Sequence, residues 1–221
     1  PAISGPTRDI AAFIEEMLIS QADFAIDLHS GGKMCEFSPC GFIYGVGDKE
    51  HLQNKIRAAH HFGAKYTAVV EGSSGSLSAA GERAGIVMLS AELGGGRIQP
   101  KNIEIGYNGT MNTLAGWGVL ADSPRETQTT FLRSGFAGSS VMSPVAGAFE
   151  PLTDVGQTIR TGEVVGRIHS LDALDQPAVT VCAESAGIVV GQRAQAHVLR
   201  GDFLLHLGEE VEESALLKSR N

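Results

Sequence analysis

Two ionisable side chains lie at the ends of apolar segments that are followed by glycines. Residues 23–32 are DFAIDLHSGG, in which His29 precedes Ser-Gly-Gly, and residues 86–96 are IVMLSAELGGG, in which Glu92 precedes Leu and three glycines. Strands that carry chemistry commonly present it at their carboxyl ends, where a ligand can approach. A histidine there can bind a metal or move a proton, and a partly desolvated carboxylate has a raised pKa that suits a general base. A histidine bonded to a backbone carbonyl and a solvated loop glutamate remain the simpler alternatives.

Other polar residues near these segments could take part in the same chemistry. Asp27 lies two residues before the histidine on the same strand face, so it could orient the imidazole or share a ligand with it. Arg83 ends the helical segment before the second strand and could pair with a substrate carboxylate, or simply lie on the surface. Cys35 and Cys40 are separated by EFSP, which is wider than a Cys-x-x-Cys pair and favours buried thiols.

Helical and strand patterns alternate through the first half of the chain. The helical patterns cover residues 7–22, 48–63, 76–85 and 99–120, and the strand patterns cover residues 23–29, 40–47, 66–72 and 86–96. This alternation predicts an α/β sheet with helices on both faces. His29 and Glu92 would then share one edge of that sheet.

Composition limits the classes of protein that this chain can represent. Of its 221 residues, 43% are hydrophobic and 19% are charged, which predicts a globular protein with a substantial core. A net charge of -8 without a basic patch argues against nucleic acid and anionic membranes as partners and favours a small molecule. No apolar segment approaches the roughly 18 residues of a membrane span. Three cysteines and no export signal indicate the cytoplasm.

The second half of the chain has a different pattern. Residues 123–221 contain short β-like segments with Gly and Pro turns, and VMSPVAGAF and IRTGEVVGRI recur as VCAESAGIV and VLRGDFLLHL. Two copies suggest a pseudo-twofold sandwich or barrel, and they resemble the biotinyl and lipoyl carrier domains. HSLDALDQPAVT, which joins the copies, has no lysine to modify, so we expect a structural relative of the carriers. We therefore predict an α/β domain over residues 1–122 and an all-β domain over residues 123–221.

These motifs, in this order, resemble the succinylglutamate desuccinylase/aspartoacylase family, which are zinc amidohydrolases related to the metallocarboxypeptidases. DLHSGG and AELGGG are most similar to the branch that includes the N-acetyl-diaminobutyrate deacetylases. The resemblance implies a carboxypeptidase-like mixed sheet flanked by helices. It also implies that His29 is a zinc ligand and that Glu92 is the general base for the zinc-bound water, with Asp27 as an orienting partner of the histidine.

The implied function is zinc-dependent hydrolysis of the N-acyl amide of a small acylated amino acid. The family's other two zinc ligands lie in a Gly-x-His-Gly-Asp-Glu motif, and neither that motif nor the family's Asn/Arg pair is in this sequence. Because the chain starts at Pro1, we expect either a part of a longer enzyme or a protein that has lost its metal. A zinc carboxypeptidase and a metal-free binding protein on the same scaffold are the competing hypotheses. Self-association and the identity of the acyl group stay open.

Overall fold

The computed structural model describes residues 5–70 and 75–218. Its helices are α1 (Pro6–Phe13), α2 (Lys49–Phe62), α3 (Leu77–Ala84), α4 (Pro100–Gly116) and α5 (Glu213–Lys218). A π turn (Ile14–Leu18) and a 3-10 turn (Ile19–Gln21) extend α1, so the helical pattern predicted for residues 7–22 is present but irregular. Much of the apolar face of this first helical segment is uncovered: Ile10 and Phe13 are 60% and 58% exposed.

Local signals account for the bounds of the two helices that flank the site described below. The Asp48 side chain accepts a hydrogen bond from the His51 backbone at 2.8 Å and begins α2, which ends at Gly63 in the left-handed conformation. The Ser76 side chain accepts one from the Ala79 backbone at 3.1 Å and begins α3. In the interior of α2, Leu52 and Ile56 are buried against the sheet.

The first six strands are β1 (Phe24–His29), β2 (Cys35–Phe37), β3 (Cys40–Tyr44), β4 (Tyr66–Val70), β5 (Val87–Glu92) and β6 (Thr130–Arg133). Five of these six strands form a mixed sheet, and β2 pairs instead with a later strand. In the order β1-β5-β3-β4-β6, all neighbours are parallel except β3 and β5, which run antiparallel. The predicted α/β architecture with a mixed sheet and flanking helices is therefore confirmed. Among the described residues, no helix has the length and apolar character needed to cross a bilayer.

The remaining strands come from the two sequence copies. They are β7 (Ser140–Met142), β8 (Gly147–Pro151), β9 (Thr158–Ile159), β10 (Val164–His169), β11 (Val179–Cys182), β12 (Gly187–Arg193), β13 (His197–Val198) and β14 (Phe203–Glu210). One sheet has the order β11-β10-β8-β13, while β7 pairs with β14, β14 with β12, and β12 with β9. The equivalent strands of the two copies are β7 and β11, β8 and β12, β9 and β13, and β10 and β14. Replacing each strand by its equivalent converts one order into the other, as the internal repeat predicts.

These strands also connect to the first part of the chain. β14 pairs with β6, and β12 pairs with β2, so a path of eight strands runs from β1 to β2, and β7 and β9 complete this sheet of ten strands. Buried aliphatic residues such as Val165, Val189 and Leu207 form the core between the repeat strands. The division at residue 122 and the likeness to carrier domains stay predictions.

Candidate active site

The register of β1 against β5 brings the candidate catalytic residues together. The two strands are parallel, with Asp27 opposite Ser90 and His29 opposite Glu92. Because side chains two residues apart on a strand share a face, these four residues form a block on one face of the sheet. The structure therefore brings together three of the residues that the sequence singles out.

His29 lies between two carboxylates. Its Nδ1 is 3.4 Å from Asp27 Oδ2, and its Nε2 is 3.1 Å from Glu92 Oε1. Hydrogen bonds to Asp27 and then to Glu92 outweigh partial burial and raise the pKa of His29 to about 10. Both ring nitrogens of His29 are thus engaged by carboxylate oxygens.

Glu92 has one oxygen in that contact and one that is isolated. Its side chain is only 12% exposed, and Oε2 is buried without a hydrogen-bond partner among the described residues. An unpartnered buried carboxylate oxygen is costly and is found mostly where function requires it. Glu92 is therefore placed to accept a proton from a group that enters the site.

The glycines after both strands join the two loops rather than leaving space for a ligand. The Gly31 backbone N–H donates to the Gly94 carbonyl at 3.0 Å, and that of Gly96 donates to the Gly32 carbonyl at 2.7 Å. A Cβ added at Gly31 would overlap the carbonyl oxygen of Cys35. The glycines thus allow a close approach of backbones that fixes the ends of β1 and β5.

A cavity of about 320 Å³ opens beside this block. One wall carries Asp27, His29, Ser90 and Glu92, and the others are formed by the end of β3 and the first turn of α3. Most of the remaining lining is apolar, which is typical of a small-molecule site. The apolar residues of the lining are Phe42, Ile43, Val70, Leu77 and Met88.

Hydroxyl groups that the sequence reasoning missed line the same cavity. The Tyr44 hydroxyl is 2.8 Å from Ser76 Oγ, and Ser78 Oγ is 2.7 Å from Ser90 Oγ. Ser90 interrupts an otherwise apolar strand pattern, which is the one sequence signal that could have identified it. The others lie on segments distant in sequence, so only the fold reveals their proximity.

The structure places the other candidate residues away from the cavity lining. Arg83 Nη2 is 2.8 Å from Glu15 Oε1, and both side chains are about half exposed, so its substrate-binding role gains no support from the geometry. Cys35 and Cys40 are buried free thiols, as the sequence predicts.

Comparison with known proteins identifies the family. A model of the succinylglutamate desuccinylase/aspartoacylase catalytic domain matches residues 2–116, more than half of the chain. The chain belongs to the succinylglutamate desuccinylase/aspartoacylase family. Both His29 and Glu92 lie within the matched residues of this desuccinylase/aspartoacylase domain.

Relatives within the desuccinylase/aspartoacylase family are longer than this chain. The N-alpha-acetyl-L-2,4-diaminobutyric acid deacetylase of Halomonas elongata is 28% identical over 212 residues, which cover 93% of this chain and 62% of the relative. A succinylglutamate desuccinylase/aspartoacylase structure from Rhodobacter sphaeroides has a TM-score of 0.89 at 30% identity, covering 96% of this chain and 66% of that one. The product-bound ectoine utilization protein EutE (DoeB) from Ruegeria pomeroyi has a TM-score of 0.88 at 29% identity, with coverages of 94% and 64%. The chain thus spans just under two thirds of their length.

The zinc ion that the family resemblance implies requires several His, Cys, Asp or Glu side chains as ligands. A catalytic zinc takes about three protein ligands plus water. Within residues 5–70 and 75–218, no group of three or more His, Cys, Asp or Glu side chains is placed to hold a metal ion. Both nitrogens of His29 face carboxylates, and a zinc ligand must be a neutral imidazole. The described residues therefore do not by themselves fit a complete zinc site.

Proposed function

We propose that this chain carries the general base of an amidohydrolase that cleaves the N-acyl amide of a small acylated amino acid. One observation carries the proposal. Glu92, with a buried unpartnered oxygen, contacts His29, which in turn contacts Asp27, beside a cavity of about 320 Å³. The cavity volume suits an acylated amino acid, and its charged groups, Asp27, His29 and Glu92, lie together on one wall. The 28% identity to an acetyl-diaminobutyrate deacetylase supports this substrate class.

In the proposed reaction, Glu92 takes a proton from the water that attacks the acyl carbon and passes it to the leaving nitrogen. The C–N bond breaks, a carboxylic acid and a free amine are released, and Glu92 returns to its starting state. The Asp27 contact at Nδ1 fixes the orientation of the His29 ring.

Zinc is part of the proposal and is tested separately. Of the described residues, His29 is the one that we assign to zinc, and it would bind as a neutral imidazole through a ring nitrogen released from its carboxylate contact. The Asp27 carboxylate would then orient the ligating imidazole.

The test uses the purified protein with zinc added back after chelation. Release of free amine from N-acetyl amino acids, including acetylated diaminobutyrate, is measured beside zinc content. Glu92→Gln is compared with Glu184→Gln, a change at an exposed glutamate far from the cavity. Zinc binding with hydrolysis that only Glu92→Gln abolishes would support the proposal. Ligand binding with neither zinc nor hydrolysis would favour a metal-free binding protein, and release of C-terminal residues from peptides would favour a carboxypeptidase.

A further inference from the structure

An ion pair between a fully buried lysine and a largely buried glutamate joins the elements that form two walls of the cavity. The side chain of Lys55, on α2, has no exposed surface, and its Nζ is 2.7 Å from Glu82 Oε1 on α3. The same ammonium donates a hydrogen bond to the Val46 carbonyl at 2.9 Å. His51 Nε2 is 3.4 Å from the other Glu82 oxygen. A charged amine is buried at such cost only when its partners compensate it, so these contacts are tightly constrained.

Both anchors of this ammonium lead directly to the cavity. Val46 follows Tyr44 by two residues, and Tyr44 ends β3 at the cavity wall. Glu82 lies on the eight-residue helix α3, whose first turn forms the opposite wall. The two walls meet in the hydrogen bond between Tyr44 and Ser76. The Lys55 contacts therefore connect the same two elements as the hydrogen bond between Tyr44 and Ser76, but outside the cavity lining.

We propose that Lys55 and Glu82 are positioning residues that set the spacing between the Tyr44 wall and the α3 wall, and through it the affinity for substrate. The inference rests on the proposed function. Stability alone gives a poor account of this pair, because apolar side chains of similar volume commonly replace a buried ion pair without loss of stability. What apolar side chains cannot reproduce is the direction of the contacts to α3 and to the Val46 carbonyl.

The test separates positioning from stability with a double variant. Lys55→Met removes the ammonium and leaves the Glu82 carboxylate buried without it, so this single variant should be destabilised. Lys55→Met/Glu82→Met removes both charges and should restore resistance to denaturant. Glu82→Gln retains an oxygen that can accept from Nζ. Glu15→Gln breaks the exposed ion pair with Arg83 on the same helix and is the matched control.

Two readouts are measured on each variant: amide hydrogen exchange of α3, and kcat and KM for the acylated amino acid that the wild-type protein cleaves best. We expect the double variant to exchange α3 amides faster and to show a KM raised about tenfold with a smaller change in kcat. Glu82→Gln keeps an oxygen acceptor but loses the counter-charge of the buried ammonium, so both readouts should lie between those of wild type and the double variant, and Glu15→Gln should match wild type.

A stable double variant with wild-type exchange and wild-type KM would overturn the inference. A change in kcat and stability without a change in KM or exchange would also overturn it, because that is the behaviour of a merely structural pair. If wild-type protein cleaves no acylated amino acid, the proposed function fails, and hydrogen exchange alone decides the positioning role. If the double variant does not fold, the same comparison between Glu82→Gln and Glu15→Gln decides it.

Discussion

Gly95 offers a direct test of how the two catalytic strands are held together. It has φ 135°, and a Cβ added there would overlap the Cys35 carbonyl oxygen and lie 3.1 Å from the Gly31 backbone. Gly32 is a matched control in the same pair of loops. It has φ 59°, and a Cβ added there would meet nothing within 4 Å. The two glycines therefore differ in the space available for a side chain as well as in φ.

The expected magnitudes follow from this difference. Gly32→Ala incurs the left-handed backbone penalty of roughly 1–2 kcal/mol. Gly95→Ala incurs a conformational penalty of similar or larger size. It must also displace backbone, because the atoms it meets belong to the Cys35 carbonyl and to Gly31 rather than to flexible side chains. We expect it to lose about 3 kcal/mol or more of unfolding free energy, at the upper end of single substitutions.

The assay is urea denaturation of wild type, Gly32→Ala and Gly95→Ala, with hydrolysis measured per folded molecule. Displacement of the β5 end should change the 3.1 Å spacing of His29 Nε2 and Glu92 Oε1, so only Gly95→Ala should lose activity beyond its loss of folded protein. Equal destabilisation by both substitutions, or full specific activity of Gly95→Ala, would refute the idea that this backbone contact positions the site.

Other properties of the chain are equally open to measurement. Glu92→Gln should lower kcat by about 10²–10⁴, the usual contribution of a general base, and retention of activity within tenfold of wild type would exclude that role. Burial lowers the pKa of His206, so the unfolded chain binds more protons than the folded chain, and stability falls as the pH drops below about 6.5. His206→Gln should flatten the pH dependence of the urea midpoint between about pH 7 and 5. An unchanged profile would contradict this. Burial raises the pKa of Cys35 to about 12 and that of Cys40 well above its ordinary value. Iodoacetamide at pH 8 should therefore modify only the exposed Cys182 in the native protein. Mass spectrometry that shows further adducts before denaturation would refute this.

Local signals in the sequence predicted much of the fold. The capped amphipathic pattern of α2 and the apolar run of β5 correspond to the elements observed. The repeat predicted two equivalent sets of strands, and the sheet orders agree with it. The motifs around His29 and Glu92 predicted the family that the comparisons confirm. Each of these signals is contained in a short segment or in a comparison of two short segments.

Burial was harder to predict, because it depends on which elements pack together. The apolar spacing of the first helix predicted a packed face, yet Phe13 and Met17 are 58% and 50% exposed. Conversely, lysine ordinarily faces solvent, yet Lys55 lies on the buried face of α2, where Glu82 of α3 pairs with its ammonium. Arg83, on the same helix, contacts Glu15 instead of the cavity. In each case the deciding partner is distant in sequence.

The pairing of β1 with β5 explains why the sequence could identify both catalytic candidates but not their contact. The strands are consecutive in the sheet, yet β2, β3, α2, β4 and α3 intervene in the chain. A shift of one residue in this register would put His29 opposite Ala91 and separate its side chain from Glu92. The glycine loops that follow both strands prevent such a shift through the backbone contact between Gly31 and Gly94. The two glycine clusters therefore support the register on which the candidate site depends.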